Sequence, residues 1–158
     1  MNRVACRRHL PELLNEYRAE NLEHLGNRID IDPLDDEDKG EDCWILNTRN
    51  TDGYSYITPA HCSQQVYGHH LSYGLFIGGW SDTQQLHHRC QRPACVNPAH
   101  LEALPPKRHQ ARAKSKPTTK PLPSFVGSPG HVLATEFARE YGLPFRCPLE
   151  PLEELTAA

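Results

Sequence analysis

The sequence predicts a small α+β fold held together by a zinc ion. Three observations predict it. Strand-like runs at 43–47, 54–58 and 83–88 occur alongside amphipathic helical patterns. Hydrophobic residues make up 37% of the 158, with 14 prolines and 10 glycines, so the core is thin and a metal serves as a staple. The stretch LHHRCQRPACVNPAHLEAL, residues 86–104, gathers thiols and imidazoles at ligand-like spacing.

Taken in order, residues 10–25 place Leu10, Leu13, Leu14, Tyr17, Leu22 and Leu25 on one face of a helix, which Gly26 stops. Residues 27–42 are Asp-rich, carry Pro33 and Gly40, and read as a linker or loop. CWILN at 43–47 and YSYIT at 54–58 read as strands joined by a turn at Asp52-Gly53, with Trp44 and Tyr54 in the core. Residues 63–76 carry Val66, His69, His70 and Tyr73 at helical spacing, until Gly78-Gly79 breaks the pattern. His69 is expected in the core or supporting the site from behind.

Residues 83–88 form a short strand that delivers His88. Asn97 is a helix N-cap and Pro98 suits the first helical position, so a short helix is expected there with His100 in its first turn. Residues 107–114 continue as a second helical segment presenting His109. The run SKPTTKPLPSFVGSPG is an extended basic arm, and residues 131–142 form an amphipathic packing helix ended by Gly142.

The chemistry lies in the Cys/His stretch. Cys90, Cys95 and His100 are local zinc ligands, and Cys43 is the best candidate for the fourth corner of the tetrahedron. Cys6, Cys62 and Cys147 are then left as free thiols. The net charge of −3 hides a strong asymmetry. Residues 30–42 hold eight acids against one lysine, whereas residues 86–120 hold eight basic residues against Glu102 alone. A basic stripe of that kind suits a phosphate backbone. No apolar run approaches the roughly 18 residues that span a membrane. The start MNRVACRRHL lacks an apolar secretory region, so an intracellular protein is expected.

These residues resemble the HNH endonucleases, in the zinc-binding branch that shares its core with the His-Cys box homing endonucleases. The resemblance runs through Cys43-Trp44-Ile45, His69-His70 with Tyr73, His88-Arg89-Cys90, Cys95-Val96-Asn97-Pro98-Ala99-His100-Leu101, and His109. It implies a ββα-metal (His-Me finger) core at 43–114, an N-terminal helix and acidic linker at 1–42, and a Pro-rich arm and helix at 115–158.

It also implies a metal-dependent DNA endonuclease of homing or mobile-element type. His88 is then the general base, and His109 and Asn97 belong to the catalytic group. Zinc at Cys43, Cys90, Cys95 and His100 is structural, with no open position for water. A second ion, Mg²⁺ or Mn²⁺, is held by His109, with His87 as a further candidate ligand. DNA contacts fall to Arg89, Arg92, Lys107, Arg108, Arg112 and Lys114. A homodimer would cut both strands. Two departures from the family pattern stand out: His70 replaces an arginine, and His109 replaces the asparagine that binds the catalytic ion. Imidazole favours transition metals over Mg²⁺. The alternatives are a catalytically weakened, zinc-stabilised nucleic-acid-binding module, or a zinc-stapled protein that docks a partner through its acidic loop or first helix.

Overall fold

The computed structural model describes residues 10–32, 40–47, 52–81, 83–108, 116–146 and 148. The first amphipathic segment forms two helices, α1 (Leu10–Glu16) and α2 (Arg18–Gly26), instead of the single one expected. The break lies at Tyr17, with φ −115° and ψ 39°. Local anchoring accounts for it. The Tyr17 ring stacks on His61 at 3.9 Å, and buried Asn21 joins Tyr17 O to the Ala60 amide through its two side-chain ends.

Part of the expected acidic linker is a strand. β1 (Ile29–Asp32) pairs antiparallel with β2 (Cys43–Leu46), in the register Ile29↔Leu46 to Asp32↔Cys43. Ile29 and Ile31 pack against the core, and alternation carries Asp30 and Asp32 to the other face. This also explains why residues 54–58 do not form a hairpin with β2. The other edge of β2 is taken by residues 94–96, through Val96 N→Trp44 O at 2.7 Å and Leu46 N→Ala94 O at 3.3 Å. With both edges filled, β3 (Tyr56–Ile57) turns to β4 (Val66–Tyr67).

The helix expected from residue 63 starts later, as α3 (Gly68–Phe76), because Val66 and Tyr67 are drawn into that pairing. α1 lies close against α3 at Gly74, where an added Cβ would come within 2.4 Å of Leu14 Cδ1. Gly78, at φ +130°, follows the end of the helix.

β5 (Gln85–His88) and β6 (Leu101–Leu104) form an antiparallel hairpin in the register His88↔Leu101. The helix expected from Pro98 shrinks to a single 3₁₀ turn, Pro98–His100, capped as expected by Asn97. The chain cannot stay helical there, because Arg89 N bonds His100 O and Leu101 enters the ladder opposite His88. After β6, residues 106–108 are helical again.

The last helix, α4 (Pro129–Glu140), begins on Ser128, whose hydroxyl accepts from the His131 amide, and ends before Gly142 at φ +67°. It packs on α3. Ala134, Phe137 and Ala138 join Trp44, Leu46, Leu71, Leu75, Phe76 and Val96 in one buried core. Trp44 is its centre, with the Phe76, Phe137 and Phe145 rings at 6.4, 5.7 and 5.8 Å. Each fully buried large side chain of this kind contributes about 1.5–3 kcal/mol. The molecule is therefore a small mixed α and β protein with three two-stranded sheets among the described residues. No helix among the described residues is long and apolar enough to cross a membrane.

Candidate metal centre and the histidines beside it

β2 carries Cys43 at its first residue. The bonds from residues 94–96 to the edge of β2 bring Cys95 alongside, and the tight 3₁₀ turn that follows swings His100 back. Cys90 lies just beyond the end of β5. Asn97 secures the assembly: its Oδ1 accepts from Ala99 N at 3.0 Å, and its Nδ2 donates to Asp42 O at 2.8 Å, next to Cys43. These bonds commit both ends of its amide to architecture. Asn97, expected in the catalytic group, serves here as a cap and tie.

The four donors of Cys43, Cys90, Cys95 and His100 lie within 4.8 Å of one another, and all four residues are buried. His100 Nδ1 stands 3.6 Å from Cys43 Sγ and 3.4 Å from Cys95 Sγ. A tetrahedron with arms of about 2.3 Å to sulfur and about 2.0–2.1 Å to nitrogen has sulfur-to-nitrogen edges of about 3.6 Å. The donor set and its spacing thus fit a metal such as zinc. The other nitrogen of His100, Nε2, donates to Thr119 O at 3.0 Å, which fixes the tautomer that leaves Nδ1 free to bind a metal. Thr119 O also accepts from Glu41 N at 2.8 Å, and Thr118 N donates to Arg89 O at 2.9 Å, so residues 118–119 strap across the centre.

Without a metal, three thiols crowd one buried space. The Cys90 thiolate is stabilised by hydrogen bonds from Cys43 and Cys95, and its pKa falls far below the usual thiol range. The hydrogen bond with Cys90 pushes Cys43 up to about 12, and burial pushes Cys95 well up. One negative charge is shared among three sulfurs, as expected of ligands built for a cation that would take the other protons' places. Cys62, expected as a free thiol, is disulfide-bonded.

His88 ends β5 one residue before Arg89 and two before Cys90. It is buried, and its Nε2 lies 3.0 Å from the carbonyl of Cys95. A carbonyl only accepts, so Nε2 carries the proton and Nδ1 the lone pair. Burial lowers the His88 pKa to about 4, so the ring is neutral at pH 7. His69, in the first turn of α3, places its ring 4.4 Å from that of His88. The Tyr54 ring lies 5.9 Å from His69 and 6.2 Å from His88, and the Tyr67 ring lies 5.3 Å from His69. Tyr54 was expected in the core and is half-buried beside the histidines instead. No local spacing announces Tyr54 and Tyr67 at this place, because folding of the β3–β4 hairpin brings them there.

His87 is buried and stands opposite Glu102 in the β5–β6 ladder, outside the four-donor cluster. Arg92 pairs with Asp32, and Arg89 donates to Lys120 O, so both guanidinium groups hold the chain's own segments together. Lys107 and Arg108 are exposed. His109, Arg112 and Lys114 lie outside the described residues.

No family model, curated protein or solved structure matches the chain. The functional reading therefore rests on these residues and their geometry.

Proposed function

We propose that the protein is a metal-dependent DNA endonuclease of the HNH type, with His88 as general base. The observation that carries this reading is the state of His88. It is a neutral imidazole whose tautomer is fixed by the carbonyl of Cys95, itself one of the four clustered donors. A neutral imidazole with a free lone pair can take a proton from water. The β5–β6 hairpin followed by helical residues 106–108 supports the reading, with the helical part placed after β6 and not at Pro98.

In this reading the zinc held by Cys43, Cys90, Cys95 and His100 is structural, since four protein ligands leave no position for water. A second divalent ion, Mg²⁺ or Mn²⁺, supplies charge neutralisation at the phosphate when bound. The proposed protein ligand to that ion is His109. The chain's own contribution is to hold one imidazole nitrogen protonated on a carbonyl and the other free. Lys107 and Arg108, joined by Arg112 and Lys114 of the same basic run, are the proposed phosphate contacts. Arg89 and Arg92 are weaker candidates, because each already has a partner within the chain.

A plasmid-nicking assay across Mg²⁺, Mn²⁺ and Co²⁺ tests the proposal. His88→Ala is expected to lose cutting by about 10²–10⁴-fold while keeping its zinc content, the usual scale for removing a general base. Cutting by His88→Ala at the parental rate would reject the assigned base. One feature favours the second reading, a zinc-stabilised module that binds nucleic acid without cutting it: His109 stands where the family has an asparagine. In that case a salt-dependent gel shift survives while no divalent ion supports nicking.

A further inference from the structure

His100 and His88 are prepared in the same way. Each gives its Nε2 proton to a backbone carbonyl at 3.0 Å, Thr119 O for His100 and Cys95 O for His88. This leaves Nδ1 of each with a lone pair. That is the usual arrangement of a metal-ligating histidine, whose second nitrogen is tied to a carbonyl. His100 points its lone pair into the four-donor cluster, and His88 lies outside that cluster.

Beside His88 stands a second imidazole, packed among aromatic rings with one nitrogen left without a hydrogen-bond partner. His69 is 4% exposed, and its Nδ1 is enclosed with no hydrogen-bond partner. Burying a polar atom unsatisfied is costly, and a phenylalanine would fill the same space among the Tyr54, Tyr67 and His88 rings without that cost. Burial, reinforced by His88 and His70, holds His69 well below the usual histidine pKa, so it too is neutral at pH 7.

We propose that His69 and His88 form a second metal site, separate from the Cys43–Cys90–Cys95–His100 centre, that binds a divalent transition ion such as Zn²⁺, Ni²⁺ or Co²⁺. Two imidazoles 4.4 Å apart, centre to centre, can each turn one nitrogen to a shared ion. Imidazole donors select such ions over Mg²⁺ and Ca²⁺, which prefer oxygen. With two protein ligands, against three thiolates and an imidazole at the first centre, the second site is the weaker of the two. Where the endonuclease reading holds, the ion occupies the lone pair that His88 needs as a base, so the site is inhibitory. That consequence rests on the proposed function, whereas binding itself does not.

Titration of the metal-free full-length protein with Co²⁺ tests the site. The first equivalent should give intense sulfur-to-cobalt charge-transfer absorption. The second should add only the weak bands of a nitrogen- and oxygen-ligated ion, and should broaden the ring proton signals of His69 and His88 in the NMR spectrum. His69→Phe should keep the first equivalent and weaken the second by at least about tenfold, the lower end of the effect of losing a metal-supporting residue. Should His69→Phe fail to fold, the broadening map of the wild-type protein decides. A single equivalent, or a second one that broadens other histidines, overturns the proposal. Inhibition of plasmid nicking by excess Zn²⁺, relieved in His69→Phe, tests the consequence for activity. A protein that nicks no plasmid but binds the second equivalent refutes the endonuclease reading and leaves the site standing.

Discussion

Replacing Cys43 by serine removes one corner of the metal centre and leaves β2 in place. A structural zinc site contributes about 10–16 kcal/mol of apparent binding free energy at neutral pH. Shared over four ligands, that is about 2.5–4 kcal/mol per ligand. In Cys43→Ser the hydroxyl is a much poorer zinc ligand than a thiolate, and the bonds of residues 94–96 to β2 are not directly touched. One kcal/mol moves the melting temperature of a chain of this size by about 2–4 °C. The expected fall is therefore about 5–16 °C for protein purified with zinc. Circular dichroism melts, run beside zinc analysis of the same samples, measure it. After exhaustive chelation the wild-type and variant curves should converge, because the difference between them lies in the metal. A variant that keeps one zinc per chain and melts within about 2 °C of the parent would refute the assignment of Cys43 as a ligand.

Other consequences can be tested without any activity. Because His100 Nε2 holds Thr119 O, and Thr118 N is bonded to Arg89 O, chelation should speed hydrogen exchange at the amides of Thr118 and Glu41 more than at amides within α4; unchanged protection would separate the strap from the metal. In the metal-free protein Cys43 and Cys95 are thiols at neutral pH, since both pKa values are raised, while Cys90 is already a thiolate. Zinc binding must then expel the protons of Cys43 and Cys95, so affinity rises with pH through the neutral range by about two log units per pH unit; isothermal titration in buffers of different ionisation enthalpy counts the protons, and a count of zero contradicts the charge assignment. Asn97→Ala removes a cap worth about 1 kcal/mol together with a buried bond to Asp42 O worth about another, so a loss of about 2 kcal/mol is expected in denaturant unfolding. If Asn97 acts only as cap and tie, residual nicking by Asn97→Ala should track the folded, zinc-loaded fraction, and a well-folded but inactive variant would place Asn97 in the chemistry.

The features legible in the sequence were those written in short spacing. Cys90, Cys95 and His100 fall within eleven consecutive residues, and the Asn97-Pro98 pair announces a tight helical start that returns the last of them. Cys43 stands out as the opening residue of the strand-like run CWILN, and the fold brings it to the cluster. Features that depend on which distant segment fills a strand edge were hidden. Ile29 and Ile31 alternate with acids, a period-two pattern, but an Asp-rich context makes it resemble a loop until β2 supplies a ladder. The turn at Asp52-Gly53 is present, with Gly53 at φ +85° and Asp52 Oδ1 accepting from Tyr54 N. Its following strand nevertheless pairs elsewhere, because residues 94–96 hold the edge of β2. Turn chemistry fixes where a chain reverses, whereas long-range competition for backbone donors fixes what it meets.

That competition is also what joins the metal centre to His88. Cys95 takes part in both through different atoms: its Sγ belongs to the donor cluster, and its carbonyl receives the Nε2 proton of His88. Its neighbours Ala94 and Val96 bond to β2 on either side, and Val96 O accepts from Ser72 Oγ on the same helix that carries His69. A shift of Cys95 caused by loss of the metal would therefore move the hydrogen-bond acceptor of His88 directly. The Val96 bonds run to the body of the core and would resist that shift. The ring of His88 should loosen more on chelation than the backbone of β5, which is held by its own ladder to β6. Relaxation of the His88 ring carbons, compared with that of the β5 amides before and after chelation, separates the two. Equal loosening of ring and strand would mean that the metal supports the whole hairpin, and unchanged motion of both would mean that the carbonyl of Cys95 is held by the core alone.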